Sequence, residues 1–281
     1  MSGMNGDSTQ HPATLTRRRV LGAGLAAVVL AACGDNDTPD SSTSSSTSST
    51  GDDGSAGDNA TTTTTTASGS PPAQAALTAA DFVALGTCVL VPEQTAGPFP
   101  LEEQFDRRDV TEGYPGHPMR LGFRVLDEGC APVPGATVEI WHCDATGDYS
   151  AFTDGGGGKD EADGTTFLRG SQTADDQGIV EFLTIVPGWY PGRAVHIHLR
   201  VHLDDAIVLT SQVYFDAALL TAVYAGEPYA QFGEPDTPLE RDGIAGDAEN
   251  EGTILHTAAA ETTAGTGTLA LLNLGIDPAA A

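Results

Sequence analysis

Basic residues are scarce in this chain: 12 lysines and arginines stand against 39 aspartates and glutamates over 281 residues, for a formal net charge of −27. A polyanion is a poor match for a phosphate backbone, so nucleic-acid binding is set aside, and the acidity is read as solubility rather than as recognition of a partner. Thiols are scarce as well. Cys33, Cys88, Cys130 and Cys143 include no C-x-x-C pair, which argues against a thiolate zinc site. The uncharged apolar run 20–32 is too short for a permanent membrane span. Glycines 155–158 neither open a helix nor lead into Lys-Ser/Thr, so they form a loop between strands and not a phosphate cradle.

What is present divides the chain in three. Residues 1–33 carry Thr16-Arg17-Arg18-Arg19-Val20-Leu21, a twin-arginine pattern, ahead of that apolar run. The run ends in Leu30-Ala31-Ala32-Cys33, which resembles the lipobox of bacterial lipoproteins and implies a lipid on Cys33 that tethers the protein to a membrane surface. The twin-arginine route exports proteins already folded, often around a cofactor, so an extracytoplasmic location on the outer face of a bacterial membrane is expected. Residues 34–74 are mostly Ser, Thr, Asp and Gly, with almost nothing apolar to bury, and are expected to be a disordered stalk. Residues 75–281 are long enough for one domain with its own core. In an oxidising setting the three remaining cysteines allow one disulfide. Cys88–Cys130 is the preferred pair, with Cys143 as a replacement partner or a small buried residue.

Within that domain the patterning is β throughout. A short helix over 78–85 is expected, capped by Thr78. Strand-like runs follow at 120–126, 137–142, 167–172, 179–186, 195–203 and 207–215, and one or two closing strands lie in 253–274. Turn signals such as Asp127-Glu128-Gly129 and Pro132-Val133-Pro134-Gly135 separate them. The spacing predicts an all-β, antiparallel sandwich.

The stretch 186–203, V-P-G-W-Y-P-G-R-A-V-H-I-H-L-R-V-H-L, concentrates the chemistry. From Val195 it alternates strictly, with His196, His198, Arg200 and His202 on one face, the pattern of a half-buried strand. Histidines at i and i+2 have Cα atoms roughly 6.5 Å apart and can converge on one ion. His202 lies about 13 Å beyond His198 and is not expected to join them. Upstream, Pro187-Gly188 and Pro191-Gly192 bracket Trp189 and Tyr190 in a turn that can swing a phenol over the strand end. Three other segments carry chemical residues: 92–99, 140–150 with a tyrosine following Gly147-Asp148, and 167–170 with Arg169.

In chain order these give G-x-Y-S at 147–150, P-G-x-Y at 187–190 and R-x-x-H-x-H at 193–198. That succession resembles the intradiol ring-cleavage dioxygenase family, which includes catechol and protocatechuate dioxygenases, over residues 92–215. The resemblance implies a non-haem Fe(III) held by Tyr149, Tyr190, His196 and His198 with a hydroxide, one iron per chain. It makes Tyr149 and His196 equatorial ligands and leaves the order of the other two open. It also implies that Tyr190 is displaced by the substrate and acts as a base, that Arg193 stabilises the activated substrate, and that Gln212 supports it. The activity implied is insertion of both atoms of O2 into a catechol-type ring, cleaved between its hydroxylated carbons to a cis,cis-muconate. Phenolate donors suit that role, since hard anionic oxygens favour Fe(III) over Fe(II).

Each of these residues also has a plainer reading. Tyr149 could be a corner tyrosine of a sandwich and Tyr190 could simply pack in its turn. Trp141 and Trp189 are packing residues, with Trp189 also placed to line a pocket, and His142 is structural. A cupin would need a glycine where Tyr190 stands, and a zinc hydrolase would leave both tyrosines unexplained. The alternative from another class is a non-catalytic extracellular sandwich that binds carbohydrate or protein. Apart from Arg169, Arg193 and Arg200, no basic residue is reserved for a substrate carboxylate. The family's catechol dioxygenases carry an N-terminal helical dimerisation region that nothing here could form, so the smaller, exported branch is expected. Oligomeric state and the identity of the catechol stay open.

Overall fold

Alternation of apolar and polar residues builds this domain, and the strands follow it closely. The computed structural model describes residues 74–86, 89–152, 164–246, 248 and 251–280. The signal segment, Cys33, the Ser/Thr-rich stretch, Cys88 and the 155–158 glycines lie outside the described residues. Cys130 is disulfide-bonded and Cys143 is a free, buried thiol.

The strands are β1 (Pro118–Leu126), β2 (Thr137–Trp141), β3 (Arg169–Thr173), β4 (Ile179–Ile185), β5 (His196–Leu203), β6 (Ala206–Tyr214), β7 (His256–Thr262) and β8 (Gly265–Gly275). They form two four-stranded sheets, ordered β4-β1-β8-β7 and β3-β2-β5-β6. Every pairing is antiparallel except β1 with β8, which run parallel with Met119 opposite Thr268. One apolar cluster lies between the sheets. Leu121, Phe123, Phe182 and Leu272 of the first sheet pack with Val138, Ile140, Ile197, Leu199 and Val213 of the second. Burial of a side chain the size of Phe182 stabilises the fold by roughly 2–3 kcal/mol.

Helix α1 (Ala79–Val83) starts where expected: Asp81 Oδ2 accepts from the Thr78 N–H (2.7 Å) and hydroxyl (2.9 Å), and Phe82 is buried beside Leu77, Ile179 and Leu271. A second helix, α2 (Ala217–Tyr224), was not expected. Its cap is clear, because Asp216 Oδ1 accepts from the Leu219 N–H at 2.9 Å.

Strand β5 differs from expectation in one respect: both of its faces are covered. Ile197, Leu199 and Val201 face the core, while His196 is 2% exposed and His198 0%. The cover is the irregular chain before β1. It bonds to the β6 edge through the Gln94 N–H to Thr210 O (2.8 Å). It reaches the β3 edge at Ser171, which donates to Phe105 O (2.7 Å) and accepts from the Arg107 N–H (3.2 Å). Residues 94–107 thus cross the outside of the second sheet from edge to edge, and the candidate site is built between that strap and the sheet.

Candidate active site

Two loops and one strand supply the four side chains. The loop after β2 carries Tyr149, the turn before β5 carries Tyr190, and β5 itself carries His196 and His198. The loops lie backbone to backbone. The Asp144 carbonyl accepts from both the Gly147 N–H (3.1 Å) and the Gly188 N–H (2.9 Å). A Cβ on Gly147, whose φ is +93°, would lie 2.4 Å from the Trp189 carbonyl oxygen, and one on Gly188 would lie 2.5 Å from Asp144 O. The glycines of the G-x-Y-S and P-G-x-Y motifs are therefore where the two tyrosine-bearing loops touch.

The polar tips of this set meet at one locus. The Tyr190 hydroxyl is 2.9 Å from His196 Nε2, and that nitrogen is 3.1 Å from His198 Nε2. The His196 Nδ1–H donates to Ala194 O at 2.7 Å, which directs the Nε2 lone pair to the site. The Tyr149 ring lies 5.9 Å from that of Tyr190 and 6.2 Å from that of His198. Its hydroxyl is buried with no hydrogen-bond partner, although the neighbouring Tyr190 hydroxyl perturbs its titration. His198 Nδ1 is likewise buried without a partner, and the ring lies against Trp141.

Burial dominates the electrostatics of the site, with Arg193 as the recurring charge. Burial, reinforced by Arg193, pushes His196 down to about 3, and burial with His196 beside it pushes His198 well below the usual imidazole range. Burial raises the Tyr149 phenol well above its ordinary value and takes Tyr190 to about 12. Neutral imidazoles with inward lone pairs and two phenols around one point suit a cation, and a cation there would favour the phenolates. An orphaned buried hydroxyl at the locus supports the fit, since such a group costs stability unless something engages it. Among the described residues no three His, Cys, Asp or Glu side chains group together, so any metal centre here needs the tyrosines.

Around this set, Arg193 Nη2 donates to Gln212 Oε1 (2.5 Å), and its Nη1 lies 3.5 Å from His196 Nε2. Gln212 Nε2 donates to Thr95 O at 2.9 Å. Arg169 ties the Tyr149 loop to the strap: Nε donates to the Ser150 hydroxyl (2.8 Å), Nη2 to Ser150 O (2.9 Å) and Nη1 to Phe99 O (2.8 Å). Phe99, in turn, stacks on Tyr149 with centroids 4.3 Å apart. His202 stands apart with Gln104 and Glu139, as its distance along the strand implies. His142 bonds to Thr184 and to Cys143 O, and it acts on the set only electrostatically, as a minor contribution to the lowered values of His196 and His198. Trp189 spends its indole N–H on Gly233 O at 3.1 Å. All six residues singled out from sequence (Tyr149, Tyr190, Arg193, His196, His198 and Gln212) are brought together. Sequence reasoning missed Asp242, which holds Arg193, and no motif signalled it.

Comparison with known proteins is consistent with this arrangement. A family described as Dioxygenase matches residues 96–225. A catechol 1,2-dioxygenase of Pseudomonas sp. (strain EST1001) is 29% identical over 148 residues, 46% of this chain and 44% of that protein. The protocatechuate 3,4-dioxygenase beta chain of Burkholderia cepacia is 32% identical over 157 residues, 50% of this chain and 62% of that one. The chain thus spans about half the length of these curated relatives. A solved structure of an intradiol ring-cleavage dioxygenase from Tetranychus urticae aligns with a TM-score of 0.63 at 31% identity, covering 68% of this chain and 96% of that one.

Proposed function

Because the chain belongs to the intradiol ring-cleavage dioxygenase family, we propose that it binds one non-haem Fe(III) through Tyr149, Tyr190, His196 and His198. On this reading it cleaves a catechol-type ring with O2 between the two hydroxylated carbons. Both oxygen atoms enter the product, a cis,cis-muconate, so no external reductant is needed. The observation that carries this reading is the convergence of Tyr190 Oη (2.9 Å) and His198 Nε2 (3.1 Å) on His196 Nε2 beside the unpartnered Tyr149 hydroxyl. Held by these four residues, ferric iron would supply the Lewis acidity that favours an ionised catechol.

The chain's own residues do the rest. Tyr190 is the half-buried member of the pair and the one placed to leave its position, so its oxygen serves as the base that takes a proton from a substrate hydroxyl. Arg193 presents Nη1 over His196 and stabilises negative charge that develops on the ring. Gln212 holds that guanidinium in place. Phe99, Trp141 and Phe152 pack around Tyr149 and exclude water from the reacting face.

Purified protein loaded with ferric iron tests the reading. It should bind one iron per chain, show a broad visible band from phenolate-to-iron charge transfer, and shift that band when catechol is added without oxygen. A protein that stays colourless after ferric reconstitution overturns it. We also propose that residues 1–33 direct twin-arginine export and that Cys33 is lipidated. Mass spectrometry of the mature N-terminus tests this, and an unmodified residue there counts against it.

A further inference from the structure

Asp242 belongs to no motif in the sequence. It follows the short 3-10 turn Leu239–Arg241, beyond the family-matched residues 96–225. Its side chain is 0% exposed and both carboxylate oxygens are engaged. Oδ1 accepts from the backbone N–H groups of Ile244 (2.7 Å) and Ala245 (3.1 Å), closing a local turn. Oδ2 reaches across the fold and accepts from Arg193 Nε (2.9 Å) and the Ala194 N–H (2.7 Å).

The consequence falls on Arg193. Its Nε edge is taken by Asp242, and its Nη2 by Gln212 Oε1. Gln212 cannot present its other end, because Nε2 already donates to Thr95 O and the Tyr214 hydroxyl lies 3.5 Å from Oε1. A planar fork pinned at two of its edges keeps no torsional freedom, and the third edge, Nη1, faces His196 Nε2. Burial by itself would raise the Asp242 carboxyl, but the N–H donors of Ala194 and Ile244 and the guanidinium outweigh it and hold the group ionised.

We propose that Asp242 is a positioning residue: it anchors the Arg193 guanidinium through Nε so that Nη1 is aimed at the space above His196 and Tyr190, where charge develops on the substrate. Asp242 touches neither the substrate space nor the four donor atoms and acts through Arg193. This rests on the catechol chemistry proposed above and extends it to a residue outside the motifs.

The test compares Asp242→Asn, Arg193→Gln and the double variant in the full, iron-loaded chain, with rates expressed per bound iron. Asp242→Asn should keep the iron content and the visible band and lower kcat about tenfold or more, with KM and the anaerobic Kd for catechol moving less than about threefold. The double variant should match Arg193→Gln within about twofold, because the aspartate has nothing left to position. On metal-free protein, Asp242→Asn should lower the melting temperature more than the double variant does, since it strands a buried guanidinium. A folded Asp242→Asn variant with the kcat of the parent, or a double variant that falls far below Arg193→Gln or does not fold, overturns the proposal. If Asp242→Asn alone does not fold, the double variant against Arg193→Gln decides. A parent protein that cleaves no catechol counts against the proposed function instead and leaves the melting comparison standing.

Discussion

Trp141 lies flat against His198, with ring centroids 5.0 Å apart and planes within 1° of parallel. The two residues are directly opposite in the β2–β5 ladder, so the sheet itself sets the stack. Gly97 in the strap closes on the same imidazole, where a Cβ would come within 3.0 Å of Cε1. His198 is therefore oriented by packing, having no hydrogen bond at Nδ1. Replacing Trp141 by leucine keeps an apolar residue and loses the flat face. Iron should then dissociate faster, and its affinity in chelator competition should fall about tenfold; unchanged affinity would show that the stack does not orient the ligand.

Gly147→Ala should destabilise the fold by roughly 2 kcal/mol or more, because the position combines a left-handed φ with a backbone oxygen 2.4 Å from the new Cβ. Thermal melting should show a drop of several degrees, and iron occupancy should fall with it, since the loop that moves carries Tyr149.

Tyr149→Phe should have opposite effects with and without metal. In the metal-free protein it removes a buried hydroxyl that lacks a hydrogen-bond partner, so stability should hold or rise by about 1 kcal/mol. With ferric iron the same change should weaken binding and diminish the visible band. Paired melting curves of both forms would separate the two effects, and equal destabilisation in each would refute a ligand role.

His142 gives a pH dependence. Burial pushes this imidazole down to about 4 in the folded protein, against 6.5 for the ordinary group. The unfolded chain therefore binds the extra proton first, and the neutral, hydrogen-bonded form contributes its full stability above pH 6.5 and loses it as the pH falls toward 4. The loss attributable to this one residue is roughly 3 kcal/mol. In urea titrations at a fixed metal state, His142→Gln should show a shallower decline over that window than the parent; identical slopes would assign the decline elsewhere.

Among the described residues, the three arginines around the site are already engaged. Arg169 is spent on Ser150 and Phe99, Arg193 on Asp242 and Gln212, and Arg200 lies over the Trp141 ring near Glu139. Among the described residues, these three arginines offer a ring carboxylate only the Nη1 edge of Arg193, which already faces the reacting ring, so catechol should be cleaved with a kcat/KM at least about tenfold above that for protocatechuate. Steady-state oxygen uptake on both substrates checks this, and parity between them would contradict it.

Much of this could be seen in the sequence, for reasons that can be named. The β5 strand announces itself through strict alternation, and its two site histidines follow from the period of two. The tyrosines had no such signal, and only the glycines beside them, which mark the contact of two loops, made a motif. Pairing of β1 with β8 joins Met119 to Thr268, a separation at which no local pattern reports neighbours or direction. The burial of His196 and His198 depends on an irregular strap with no periodicity of its own. Asp242 is invisible for a related reason: one acidic residue in a polar turn looks like any other until Arg193 is brought to it.

The sandwich keeps its chemistry and its cohesion on opposite sides of one sheet. The residues that bury apolar surface, Ile197, Leu199 and Val201, alternate with those that gather at the site, so neither set is composed of the other. Substitutions among the four donors can therefore change what the protein does without opening the apolar cluster between the sheets. A scaffold divided in this way can explore new substrates one face at a time.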